Sequence, residues 1–342
     1  MITYLFGAGA SYQALPLANE IPEDMRALIQ ELKSITLPDG PHGNNSEWLK
    51  NEFIRRAESL LQELEENKFE SIDEYAAWKG EHINYIRAIL SGYIALRQIK
   101  IRPNSRFQSF DPRYRKFLQQ IIPTGVYSKK VRLNLLTWNY DTQIEKAVKN
   151  IFEYDWAQRI HEKLNYYPLV DNFGASIEQY SIGNLNTFSL NGACGFHEIR
   201  ASKKIVTIKD PIIDLNPDPN YNRISQVLYF YYQYHIQDLL QPQLHFGWDK
   251  NPYNEKLFGL VIESVKGTTQ LISIGYTFPD SNRARDLSIL KSMEKLEKIF
   301  VQGPTNDEFY KIEFMLKESL PGVKIIHYNT KDKFYIPEEL FI

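Results

Sequence analysis

The chain has 342 residues, 43% of them hydrophobic and 24% charged, with 40 Lys and Arg against 42 Asp and Glu. Such a balance suits a folded protein with a sizeable core and excludes a mini-domain or a globally basic nucleic-acid binder. A single cysteine, Cys194, excludes an intrachain disulfide and a cysteine-based zinc site.

No stretch approaches the ~18 consecutive apolar residues of a membrane span. Met1 to Phe6 lacks a basic leader and runs straight into a glycine turn, which predicts a first strand and not a signal peptide. A soluble, cytoplasmic protein is the expectation.

Ile2 to Phe6 is a short apolar run ended by Gly7-Ala8-Gly9-Ala10-Ser11, the pattern of a buried strand entering a tight turn. A helix follows from about Ile21, with Pro22, Glu23 and Asp24 in its first turn. Pro38 to Asn45 is a loop on its turn chemistry. Ser46 to Leu96 is almost purely helical, with Phe53, Ala57, Leu60 and Leu64 in helical register, and looks inserted between two strands. Arg97 to Arg115 is the densest basic stretch and reads as a solvated surface between helices, no strong sign of direct nucleic-acid binding. Arg113 to Ile122 is amphipathic.

Val131 to Thr137 is a strand ended by Trp138-Asn139-Tyr140-Asp141, where a helix begins with Asp141 or Thr142 as its cap. Ile160 to Phe188 shows no firm pattern. Ile205 to Ile208 reads as a short strand and Tyr221 to Leu240 as a helix whose Tyr229, Tyr231, Tyr232 and Tyr234 serve packing. The last third alternates: a strand at Leu271 to Ile274, a helix at Ala284 to Lys295, a strand at Ile299 to Val301, a helix at Glu308 to Leu320 and a strand at Val323 to Tyr328. The fold class expected is α/β: a doubly wound, Rossmann-like, mostly parallel sheet with a helical insertion. It is expected as one domain over residues 1–342, with the insertion at about 46–122.

Open parallel sheets bind ligands at the carboxyl ends of their strands. Three such ends carry unusual residues. Gly7 to Ser11 lets backbone approach a diphosphate and offers it N–H donors. Asn139 and Asp141 place an amide and a carboxylate at the mouth of a cleft, although Asp141 alone could simply cap the next helix. Gly275-Tyr276-Thr277-Phe278-Pro279-Asp280 is a close-approach turn followed by an aromatic wall.

In this order, Gly7 to Ser11, Thr137 to Asp141 and Gly275 to Phe278 resemble the silent information regulator (sirtuin) superfamily, in particular its bacterial NAD-hydrolase branch. Phe69 to Asp73 is similar to a segment of members that carry a helical insertion. The resemblance implies NAD as substrate, with no metal, held by Gly7, Ala8, Gly9, Ala10, Ser11, Thr137, Gly192, Gly275 and Tyr276. It implies a catalytic set of Asn139, Asp141, Asn191 and His197. Asn191-Gly192 stands where the family has histidine-glycine, and asparagine cannot take a proton. His197, six residues on in the same expected loop, either fills that role or anchors the loop; a third reading is an inactivating substitution.

The family's deacylases hold a small zinc module with four cysteines, which this chain cannot build. The implied function is therefore NAD glycohydrolase, releasing nicotinamide and an ADP-ribose product, in antiphage defence by NAD depletion. A non-catalytic NAD- or ADP-ribose-binding regulatory subunit is the alternative, and a zinc-free deacylase ranks third. Implied partners are a second copy of the chain in a homo-oligomer, and a translocase-type ATPase or an argonaute-like protein.

Overall fold

The computed structural model describes residues 1–39, 45–69, 72–80, 83–99, 101, 107, 109–122, 132–153, 157–167, 185–202, 204–207, 212, 220–249, 252–303 and 305–340, with backbone alone at 157–159, 204–207 and 252–254.

Seven strands form one parallel sheet: β1 (Ile2–Phe6), β2 (Leu133–Thr137), β3 (Tyr166–Tyr167), β4 (Leu185–Ser189), and, late in the chain, β8 (Gln270–Ile274), β9 (Lys298–Gln302) and β10 (Lys324–Tyr328). Their order is β10-β9-β8-β1-β2-β4-β3. β1, β2, β4 and β8 are buried along their whole length, as strands covered on both faces must be, which is why β1, β2 and β8 read as largely apolar runs without strict alternation, whereas β4 buries polar residues and does not. The chain winds outward from β1 through β2 to β4, then returns past β1 to build β8, β9 and β10. The direction reverses between β1 and β8, and this is the switch point of a doubly wound fold.

Helices cover both faces. α5 (Pro112–Ile121) and α6 (Gln143–Phe152) pack on one face, where Tyr4 and Phe6 meet Tyr114 and Phe117; the Tyr4 and Phe117 rings are 4.8 Å apart. On the opposite face, Leu5, Leu136 and Leu271 meet α9 (Pro252–Val265), α10 (Arg283–Ser292) and α11 (Asn306–Ser319). Successive residues of β1 thus feed opposite cores, as strand geometry requires.

The second layer joins α1 (Ile21–Lys33), α2 (Ser46–Glu66), α3 (Ile72–Lys79), α4 (Ile83–Arg97) and α8 (Tyr221–His235) in a core of their own. An antiparallel sheet of β6 (Lys204–Thr207), β5 (Gly192–Ile199) and β7 (Leu240–Leu244) closes it. The tyrosines of α8 are packing residues: Tyr231 and Tyr234 are buried, and the Tyr231 ring lies 5.1 Å from Phe53.

Two expectations need correction. The basic stretch is no solvated surface at two of its arginines: Arg97 is buried against Asp24 at 2.6 Å, and Arg113 against Asp111 at 2.6 Å. Lys100, Arg102 and Arg106 lie outside the described residues. Residues 192–197, expected as loop, are the start of β5. Glycines at φ +72° (Gly192) and +85° (Gly195) permit the register shift between Gly192 and His197 that a reader of strand patterns would take for a break.

Candidate functional site

Register sets the site. Phe6 pairs with Thr137 and with Ile274, Thr137 with Ser189, and Ile274 with Gln302. Five strands therefore end level, and their turns emerge side by side.

The turns after β1 and β8 are packed backbone to backbone. A Cβ on Gly7 would lie 2.6 Å from Gly275 O, one on Gly9 2.9 Å from Gly275 Cα, and one on Gly275 2.3 Å from Ala10 N. Gly275 also has φ +59°, so glycine is required twice over. This contact uses donors that the sequence reading assigned to a diphosphate. Gly7 N–H donates to Ile274 O, Gly9 N–H to Gly275 O and Ala10 N–H to Gly7 O. The small residues serve first to let two turns touch. Ala8 is the exposed residue of the motif and Gly9 is half-buried. A residue that pattern reading missed braces the turn from below: Arg113 Nη2 donates to Ala10 O at 2.7 Å, and its guanidinium lies 4.3 Å from the centre of the Tyr12 ring.

Asn139 reaches across to the first turn. Its Nδ2 donates to Gly7 O at 2.9 Å and lies 3.3 Å from Ser11 Oγ, while its backbone N–H donates to Thr137 Oγ1 at 3.0 Å. No described residue donates to its Oδ1. Ser11 Oγ in turn meets Tyr114 Oη at 3.0 Å. Asp141 belongs to the same cluster: Oδ1 accepts from Gln143 N–H at 2.9 Å, so it caps α6 one residue ahead of the Thr142 cap position. Burial, only partly opposed by Gln143 N–H and Ser11, pushes its carboxyl up to about 6.

Tyr276 and Trp138 converge on a buried acid. Tyr276 Oη donates to Asp286 Oδ2 at 2.7 Å and Trp138 Nε1 to Oδ1 at 3.1 Å. Burial raises Asp286 to about 7 despite these two donors. The turns after β2 and β8 are thus tied through one carboxyl, with the Tyr276 ring laid against Gly7.

The histidine question divides. His197 does not join the three turns. It is fully buried in β5, its Nε2 2.7 Å from Tyr234 Oη and its ring stacked on Tyr234, and burial pushes it down to about 3. Asn191 is buried beside the Tyr140 hydroxyl, its Oδ1 without a partner among the described residues.

Against Asn191-Gly192 lies a different histidine. His245 N–H donates to Asn191 O at 2.8 Å, Tyr140 Oη donates to His245 O at 2.7 Å, and a Cβ on Gly192 would stand 3.5 Å from His245 Cδ2. Its Nδ1 lies 3.2 Å from Asp249 Oδ2, and Asp249 is paired with Arg87 of α4. Burial lowers His245, with Asp249 pulling the other way. The segment continues to Gly247, whose Cβ would stand 1.7 Å from Asn282 Oδ1, while Asn282 Nδ2 donates to Tyr276 Oη at 3.0 Å. Residues 245–249 thus wall the strand ends from β4 to β8. No sequence signal marked them, because a lone histidine after an irregular edge strand has no motif around it.

No family model and no curated protein sequence matches the chain. Among solved structures it is similar to a Sir2 bound to acetylated peptide, at 12% identity, covering 97% of this chain and 88% of that one with a TM-score of 0.41. It is similar also to a Sir2 homolog in complex with NAD, at 11% identity, 95% and 82% coverage and a TM-score of 0.41. A third is Sir2 in complex with the inhibitor EX-527, 2'-O-acetyl-ADP-ribose and deacetylated p53 peptide, at 12% identity, 97% and 89% coverage and a TM-score of 0.34. Likeness of this degree carries no argument about what the chain binds.

Proposed function

We propose that the strand-end site binds NAD and hydrolyses its nicotinamide–ribose bond. The observation that carries the reading is Asn139 at the level strand ends: Nδ2 is pinned to the glycine turn, and Oδ1 is left for a ribose hydroxyl or a water. In this reading the dinucleotide lies over Ala8 and Gly9. Gly7, Ala10, Ser11 and Thr137 frame that floor, Gly275 and Tyr276 close one side, and Asn191 and Gly192 close the other.

The bond between ribose C1 and the nicotinamide nitrogen breaks with its electron pair leaving on nicotinamide, which departs neutral. The ribose acquires oxocarbenium character, stabilised by the Asp141 carboxylate when ionised. Water adds at C1 and loses its proton to a base. His245 suits that role better than His197. Its Nδ1 faces Asp249 Oδ2 at 3.2 Å and its Nε2 faces Gln243 Oε1 at 3.3 Å, so in this reading the ring takes the proton on Nε2 once that nitrogen turns from Gln243 to the water. Positioning of water and ribose supplies the rest of the acceleration.

The motif order supports a place in antiphage defence by NAD depletion, with activity held off until a homo-oligomer or a partner of the translocase-type ATPase or argonaute-like kind releases it. Incubation with NAD, alone and with such partners, followed by product chromatography tests the reading. Nicotinamide and ADP-ribose in equal amounts support it. Binding of ADP-ribose without turnover in every assembly state favours a regulatory subunit, the reading that Asn191 supports.

A further inference from the structure

A cavity of about 360 Å³ lies in the helical layer, lined from α2, α3, α4 and α8 and sharing no residue with the strand-end site. Its walls carry three cations, Arg55, Arg56 and Lys79, one carboxylate, Glu63, and the rings of Tyr85 and His235.

The charges there are only partly satisfied. Glu52 accepts from Arg55 Nε at 3.0 Å and from Arg55 Nη2 at 2.8 Å, and it also accepts from Arg56 Nε. Lys79 Nζ donates to Glu63 at 2.5 Å, and Tyr75 Oη donates to the same carboxylate oxygen. Arg55 Nη1 and Arg56 Nη2 have no acceptor among the described residues. Three cations face two carboxylates, which leaves one positive charge.

His235 adds none. Its Nε2 is pressed against Arg56 Nη1, and burial, with Arg56 beside it, pushes the ring down to about 4, so it accepts from the guanidinium. Next to this group the hydroxyl of Tyr231 is buried without a hydrogen-bond partner among the described residues. Its ring is 5.9 Å from His235, and it is electrostatically coupled to Arg56 and Tyr85.

We infer that this cavity binds a phosphorylated molecule carrying a flat heteroaromatic ring, of nucleoside-monophosphate size. Its volume falls at the lower end of the roughly 300–1,000 Å³ of small-ligand sites. The open guanidinium N–H groups match a phosphate, and the half-buried rings of Tyr85 and His235, in contact with each other, form the aromatic wall. Tyr231 lies behind His235 and outside the cavity lining, so it backs the His235 ring and does not itself meet a ligand. The cavity is tied to the strand ends by two helices. α3 carries Tyr75 to the cavity and Asp73 to the neighbourhood of Tyr140, and α4 carries Tyr85 to the cavity and Arg87 to Asp249.

Calorimetric titration of the full chain with AMP, inorganic phosphate and adenosine, each alone, tests the inference. AMP is expected to bind one-to-one and about tenfold or more tighter than either fragment. Arg56→Gln is expected to weaken AMP about tenfold or more, the scale of a lost charge-assisted pair. Lys79→Gln, which keeps the arginine pair, serves if Arg56→Gln lowers the melting temperature of the free protein. Asn139→Ala is expected to leave AMP binding unchanged. Absence of saturable AMP binding overturns the inference, as does phosphate binding as tightly as AMP. Loss of AMP binding in Asn139→Ala but not in Arg56→Gln or Lys79→Gln assigns the ligand to the strand-end site and also overturns it. None of these outcomes depends on whether NAD is hydrolysed.

Discussion

Replacement of Gly275 by alanine probes the contact on which the site is built. The new methyl would stand 2.3 Å from Ala10 N and 2.3 Å from Gly9 C, on a backbone at φ +59°. The left-handed conformation costs a residue with a Cβ roughly 1–2 kcal/mol, and crowding against backbone adds about 1–3 kcal/mol. Together they give roughly 2–5 kcal/mol. Unfolding entropy of about 2.1 cal/mol/K per residue, over 342 residues, is about 0.7 kcal/mol/K. The melting temperature should fall by about 3–7 °C. Gly259→Ala is the control of opposite sign. It sits within α9 with nothing within 4 Å of an added Cβ, and Ala is the better helix former by up to about 1 kcal/mol, which predicts a rise of about 1 °C. Scanning calorimetry of both variants measures this. A Gly275→Ala melt coincident with wild type would refute the backbone-to-backbone contact.

His245→Ala and Asp249→Asn should each lower turnover by about 10²–10⁴-fold with little change in KM, as loss of a general base does; undiminished turnover by His245→Ala returns the search to other groups. His197→Ala should instead destabilise by about 2–4 kcal/mol, through a cavity and an unpaired Tyr234 hydroxyl, while activity per folded molecule stays level. Loss of turnover in fully folded His197→Ala would restore that residue to the site. Asp141, raised to about 6, is protonated below that pH, so a rate that needs its carboxylate falls as pH drops through 6. The sign for stability is opposite, because a raised carboxyl stabilises at low pH and that contribution is lost as pH rises through about 6. Asp141→Asn should flatten the rate profile around pH 6 and the stability profile between about pH 4 and 6, as a pH–rate series and pH-dependent melts will report.

The strands that place the site were legible because parallel strands buried on both faces are continuous apolar runs: Ile2–Phe6, Leu133–Thr137 and Gln270–Ile274 do lie side by side. The helices of α2 to α4 were equally plain from their period. What escaped was held by non-local contacts. β4, Leu185–Ser189, carries Asn186, Thr187 and Ser189; these are polar residues buried only because Asn134 and Tyr166 satisfy two of them. β5 begins at a glycine, and β7 contains Pro242, signals that argue for loop until the edge pairing is known. Arg113 and His245 face the turns from distant parts of the chain, and nothing in their neighbours along the sequence announces it.

The most direct test is the rate of nicotinamide release from NAD by wild type and by Asn139→Ala, compared at matched folded fraction. The amide fixes ribose and water in this account, so the variant should lose about 10²-fold or more. Equal rates in the two proteins, or no release by wild type in any assembly state, would contradict it.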